Sequence, residues 1–244
     1  MQKFSQYVIL MLRTLTVPER WGVFFKQMIK EISKLGVDSL WIVIFISTFI
    51  GAVITIQVSL NIQSPIIPDF TIGYIAREVI LLEFSSTIMC LILAGKVGSN
   101  IASELGTMRV TEQIDALEIM GVNSANYLIL PKIVAFVIFI PVLVIISMFA
   151  GIIGGYIIAT FTDMVTVAKY EYGLRYWFIP FNIWYSIIKS MVFAFIISSI
   201  ASYYGYYFKG GALQVGKAST DSVVMSSVLI LTFDLILTQL MLAK

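Results

Sequence analysis

The sequence predicts an all-α, polytopic membrane protein with five transmembrane helices, and three observations predict it. Hydrophobic residues make up 59% of the 244 positions and charged residues only 12%, about half the roughly 25% of a soluble domain. Two stretches, 39–68 and 133–162, carry no charge at all. Each exceeds the about 20 apolar residues that cross a bilayer core of about 30 Å. Three more apolar stretches each carry a charge deep inside: Glu83 in 74–95, where Arg77 and Glu78 stand near the start, Lys189 in 181–207 and Asp234 in 222–243. Open strands cannot satisfy their backbone in lipid, so all five are helices.

Taken in order, residues 1–36 read as an N-terminal interfacial amphipathic segment. Phe4, Val8, Ile9, Leu12, Trp21, Phe24, Phe25, Met28 and Ile32 are mixed with Lys3, Arg13, Arg20, Lys26, Lys30 and Lys34. Phe24/Phe25, Met28 and Ile32 recur at helical spacing. One or two basic helices lying in the interface follow, broken near Pro18. The apolar run 7–12 is too short for a signal peptide, and Arg13 ends it with no small-residue cleavage site. Residues 37–244 form the transmembrane domain, with spans at about 39–60, 74–96, 132–162, 180–207 and 221–243. Pro141 is expected to bend the third span. Gly151 and Gly155 form a GxxxG pattern, a signal for close helix packing.

Basic residues set the orientation. With the N-terminus inside, the inner segments hold Lys3, Arg13, Arg20, Lys26, Lys30, Lys34, Lys96, Arg109, Lys132, Lys209 and Lys217. The outer segments hold Arg77, Lys169, Arg175 and Lys244. This eleven-to-four bias puts the N-terminus in the cytoplasm and, after five spans, the C-terminus outside.

Composition excludes several functions. Sixteen basic against fourteen acidic residues give no concentrated basic surface, so no nucleic acid is expected as partner. With no histidine and one cysteine, there is no Ser-His-Asp triad, no disulfide framework and no histidine or multi-cysteine metal site. The segment 211–218 nearly matches the phosphate loop GxxxxGK[ST]. Ala218 stands where the metal-binding hydroxyl belongs, and the segment lies between two spans rather than after a buried strand. A surface turn is expected there. No catalytic residue and no metal ligand is read from the chain.

Glu83, Lys189 and Asp234 remain. Each costs about 2.5–3.5 kcal/mol at the centre of a lone inserting helix. Counting about 1.5 Å per residue from the inner ends of their spans puts all three at about 20–22 Å, so one level can hold two acids and one base. Each sits on a polar stripe at helical spacing: Glu83, Ser86, Thr87 and Cys90; Asn182, Ser186, Lys189 and Ser190; Ser227, Asp234 and Thr238. An ion-pair network that holds the bundle and one that lines or gates a substrate path both fit. So does a proton relay in a secondary transporter. A non-transporting scaffold is the remaining reading.

The longest polar connection, 96–132, contains helix formers. Its Glu112-Gln113-x-Asp115 offers acidic and amide groups to a basic partner groove. From the end of the second span into this connection the chain carries Leu93-Ala94-Gly95-Lys96-Val97-Gly98 and Ala102-x-Glu104-Leu105-Gly106-Thr107-Met108-Arg109-Val110-Thr111-Glu112-Gln113-Ile114-Asp115-Ala116-Leu117. Gly205-Tyr206-Tyr207 and Val215-Gly216-Lys217-Ala218-Ser219-Thr220, with Val223, Val224, Ser226 and Ser227, continue the pattern. On these motifs, residues from about 40 to 243 resemble the MlaE/YrbE permeases, membrane subunits of MCE-type lipid ABC transporters.

The resemblance implies a homodimer in the cell inner membrane, with a periplasmic C-terminus. It implies two ABC ATPase subunits, a periplasmic ring of MCE-domain protein and a small STAS-type accessory subunit. ATP is then bound by the partner, and this chain holds no cofactor. Residues 102–121 become the coupling helix, with Glu104, Met108, Arg109, Glu112, Gln113 and Asp115 as ATPase-coupling residues. Glu83, Lys189 and Asp234 match family positions near a membrane-lipid site between the two permeases. The implied activity is ATP-driven movement of lipid, a phospholipid above all, between the inner membrane and the MCE carrier, which maintains outer-membrane asymmetry.

Overall fold

The computed structural model describes residues 2–18, 20–62, 67–162, 164–211 and 214–242, with side chains from residue 4 onward. Ala212 and Leu213 of the glycine-rich segment, the Lys3 side chain, and Ala243 and Lys244 at the last span lie outside the described residues. The protein is 87% helix, and no strand occurs among the described residues. The α-helices are α1 Gln2–Thr14, α2 Trp21–Glu31, α3 Leu40–Asn61, α4 Phe70–Val79, α5 Met89–Leu93, α6 Ser99–Val110, α7 Gln113–Ile119, α8 Ser124–Phe161, α9 Val167–Arg175, α10 Phe181–Tyr206 and α11 Val215–Leu242. Turns of π-helix at Ile32–Gly36, Ile80–Ile88 and Ala94–Gly98, and a 3-10 turn at Val37–Ser39, join some of them end to end.

Five helical runs are long and apolar enough to cross a membrane: Trp21–Asn61, Phe70–Val110, Ser124–Phe161, Phe181–Tyr206 and Val215–Leu242. The five-helix membrane fold read from the apolar runs is therefore present. The boundaries differ where polar residues at a span's end find partners inside the protein. The first run starts at Trp21 because α2 passes through two irregular turns straight into α3. The second continues to Val110, well past position 96. The third begins at Ser124 rather than 132, and α8 runs through Pro131 and Pro141 with no break in the helix. The segment 102–121, read as one coupling helix, is divided between α6 and α7. Glu112 adopts a left-handed conformation (φ 60°) at the break. Helix α9 lies in a connection for which the sequence offered no helix signal.

The chain divides into two compact units. The first contains residues 1–39, 91–140 and 191–244, and the second 40–90 and 141–190. In the second unit, small residues let backbones touch. The α-hydrogen of Gly51 faces the backbone of Gly151, and Gly154 faces that of Thr48, so α3 and α8 cross without side chains between them. Ser47 donates to Ser147 (2.9 Å), which reaches Ser85 at 3.3 Å. Helix α9 lies on α4, with Gly73 against the Tyr170 carbonyl and Gly173 against that of Phe70. Ile72, Ala76, Ala159, Val165 and Tyr170 form the core between them. Burial pushes the Tyr170 phenol up to about 12.

In the first unit, α1 is tied by Tyr7 donating to Ser199 of α10 (2.9 Å). The chain after α1 is tied by Asn126, whose amide donates to the carbonyls of Thr14 and Thr16 at 3.0 and 2.6 Å. Helix α11 packs on α6, where Ser219 donates to the Ser99 carbonyl. Gly205 brings α10 onto the Ala102 backbone.

Candidate functional site

The second span does not keep α-helical geometry around Glu83. Residues Ile80–Ile88 form two turns of π-helix, a rare form that is frequent at functional sites. Opposite them runs the polar stripe of α10, and each of its first three members reaches across. Asn182 donates to Glu78 at 2.8 Å. Ser186 donates to the Leu81 carbonyl. Lys189 donates to both Glu83 carboxylate oxygens, at 3.1 and 3.2 Å, and to the Leu82 carbonyl at 3.4 Å. Ser190 turns back to its own helix, on Ile187. The Lys189 ammonium also stands 5.0 Å from the centre of the Tyr185 ring.

Burial is unequal within the pair: the Lys189 side chain is 0% exposed and that of Glu83 44%. A buried ammonium thus holds a carboxylate that keeps one side open. Thr87 also donates to Glu83 Oε2, at 3.2 Å. Such a group can meet a further polar partner without leaving Lys189. The structure brings Glu83 and Lys189 together. Asp234 stands half-buried on α11, in the first unit.

The residues expected to meet an ATPase lie on α6 and α7. Arg109 of α6 grips Asp115 of α7 at 2.6 Å, which fixes the short helix against the longer one. Glu112 and Gln113, at the break between them, are exposed, and Met108 is half-buried. Glu104 turns inward. It accepts from Lys34 and from Lys132, both at 2.8 Å. Glu118, at the far end of α7, accepts from the Tyr206 hydroxyl (2.8 Å) and from Ser124 (3.0 Å). The Tyr206 bond first, then Ser124, hold its carboxyl below the usual carboxylate range against the cost of burial.

Two charge clusters escaped the sequence reading. Lys132, 3% exposed, bridges Glu31 (2.6 Å) and Glu104 (2.8 Å) and so joins α2, α6 and α8. Arg77, 2% exposed, donates to the carbonyls of Leu174 and Tyr176 at 2.7 and 2.9 Å and to Glu78 at 2.5 Å. Lys132 opens a long uncharged run and Arg77 stands beside an acid within an apolar one, the signals that mark both. Among the described residues, no group of three His, Cys, Asp or Glu is placed to hold a metal ion.

A five-run helical membrane domain, with an ion pair inside its second and fourth helical runs and a polar helical elbow after the second, has the build of a membrane-embedded permease. The chain belongs to the MlaE permease family: the family model described as "Permease MlaE" matches residues 28–240. It is 35% identical to a probable ABC transporter permease protein of Rickettsia bellii, over 98% of this chain and 92% of that one. It is 30% identical to the probable ABC transporter permease protein slr1045 of Synechocystis, over 88% and 82%. It is also 30% identical to the chloroplastic protein TRIGALACTOSYLDIACYLGLYCEROL 1 of Arabidopsis thaliana, over 88% of this chain and 61% of that one. The protein is thus a multi-pass membrane protein and the permease subunit of an ABC transporter, which implies ATPase partner subunits.

Proposed function

We propose that this permease moves lipid, a phospholipid above all, between the inner membrane and a periplasmic MCE-domain carrier, and so maintains outer-membrane lipid asymmetry. The observation that carries the reading is the Glu83–Lys189 pair, half open on its acidic side within the membrane run. An aqueous solute needs many polar groups along its path. A lipid needs an apolar cavity with a few polar groups at headgroup level. The name of the Arabidopsis relative, which is that of a glycolipid, points the same way.

The working form is a homodimer with two ATPase subunits, the MCE ring and a small STAS-type accessory subunit. Helix α11 supports the dimer. Only 11% of its most apolar stretch is buried among the described residues, and Val224, Val228, Leu231 and Leu235 are all exposed. The N-terminus lies in the cytoplasm and the C-terminus in the periplasm, as the basic residues require. ATP-driven closure pushes the α6–α7 elbow and narrows the lipid cavity, to which Glu83, Lys189 and Asp234 contribute. The test is lipid transfer by the reconstituted complex. Transfer that needs ATP supports the proposal; transport driven by a proton gradient with no ATPase present replaces it with a secondary transporter.

A further inference from the structure

A cavity of about 400 Å³ opens where the start of α2 meets the turn between α7 and α8. The lipid-transfer reading does not use it. Its polar lining includes Arg20, Gln27 and Tyr127, and its apolar lining Phe24 and Met120. No acidic residue is among the described residues that line it. The side chains of Arg20, Gln27 and Tyr127 form no hydrogen bond or ion pair with any described residue.

Helix α2 also begins at this mouth. Its N-cap is Arg20, whose side chain makes no capping bond. The first N–H groups of the helix therefore carry a partial positive charge and have no acceptor from the Arg20 side chain. A guanidinium, an amide and a phenol border one space at the start of a helix. Their common ligand is a phosphate-type anion.

The walls specify what the anion is attached to. Phe24 and Met120 offer apolar surface. Outside the cavity, Trp21, Phe25 and Ile29 follow one another at helical spacing, each between 49% and 64% exposed. On a membrane protein such a stripe lies in the acyl–headgroup boundary. Lys26 and Lys30 are exposed on the same helix without an ion pair among the described residues, while its acid, Glu31, is taken by Lys132. The field at this surface favours an anionic lipid over a zwitterionic one.

We propose that this cavity binds the headgroup of an anionic glycerophospholipid from the adjacent leaflet, as a resident ligand distinct from any cargo. The lipid bridges α2 to Met120 and the turn that follows α7. The proposal rests on the interfacial placement of α2 and not on lipid transfer, so its test needs neither ATPase nor carrier.

The purified full-length chain in mild detergent is unfolded thermally with dioleoyl phosphatidylglycerol, with dioleoyl phosphatidylcholine, or with inorganic phosphate. At about 100 times its dissociation constant, phosphatidylglycerol should raise Tm by about 5 °C. Phosphatidylcholine and phosphate should raise it by far less. Arg20→Gln should keep the lipid-free Tm and lose most of the rise; Lys209→Gln, exposed and not part of the cavity lining, should keep the rise. Equal shifts from the two lipids, or an undiminished shift in Arg20→Gln, overturn the site. A full shift from phosphate alone shows an anion site with no lipid specificity and overturns the proposal as well.

Discussion

Lys132 is almost fully buried, and two carboxylates keep it charged there. Breaking a buried ion pair by removing one partner costs about 3–5 kcal/mol, because the other charge is stranded. Lys132→Met strands Glu31, one of whose oxygens already lacks a hydrogen-bond partner, and leaves Glu104 to the half-exposed Lys34. Thermal unfolding in detergent should show a loss near the lower end of that range, against almost none for the exposed Lys26→Met. Adding Glu31→Met to Lys132→Met should recover part of the loss. Lys189→Ala should cost about 2 kcal/mol more than Lys26→Ala in the same measurement, less than a fully buried pair because Glu83 can turn to its open side. Equal stability and equal transport in those two alanine variants would remove the pair from the mechanism. Glu118 gives a pH test. Its carboxyl is depressed in the folded state, so its contribution is present above the unfolded value of about 4.3 and is lost as pH falls through the folded value. Tyr206→Phe removes the largest cause of the depression. The variant should lose less stability than the parent over the acid range, by a small margin because Glu118 is exposed and screened.

At the scale of elements, the α3–α8 crossing depends on positions with no side chain. A methyl group on Gly154 would meet the Thr48 carbonyl, and one on Gly51 the Gly151 backbone. Gly154→Val should therefore separate the helices and lower stability by about 2–3 kcal/mol, while Gly95→Ala, with open space around it, should leave it within about 0.5 kcal/mol. The GxxxG pattern announced this contact in the sequence, but its partner Gly51 stood alone in an unbroken apolar run. The same contrast holds across the fold. Five spans were legible because lipid demands about 20 apolar residues in each, a rule that needs no tertiary information. The ends of the spans were not legible. Lys132, Arg77 and Glu104 look like loop charges until a partner from a distant segment satisfies them. The stripe on α10 was read correctly as one face. That its members meet Glu78, Leu81 and Glu83 depends on the π-helical turns at Ile80–Ile88, which no spacing rule announces.

At the scale of the whole molecule, the proposed transport cycle needs a rigid connection between an ATPase and the membrane. In that proposal the second helical run is the path, because Glu83 and the residues leading to the elbow at Glu112 lie on the one helical run Phe70–Val110. In the proposed cycle a push on α7 would pass to α6 through the Arg109–Asp115 bond, and α6 belongs to the same helical run as Glu83. Docking and coupling should then separate by mutation. Glu112→Ala with Gln113→Ala removes exposed polar groups and should weaken ATPase association by about tenfold, equivalent to about 1.4 kcal/mol. Arg109→Ala leaves those groups in place but frees α7, so association should survive while ATP-dependent lipid transfer falls with hydrolysis continuing. Pull-down of the ATPase, ATP turnover and lipid transfer on the same reconstituted complexes distinguish the two. Docking and transfer both intact in the Glu112/Gln113 double variant would show that the ATPase grips the permease elsewhere. The one helical run would then still hold Glu83 and α6, but it would carry no stroke.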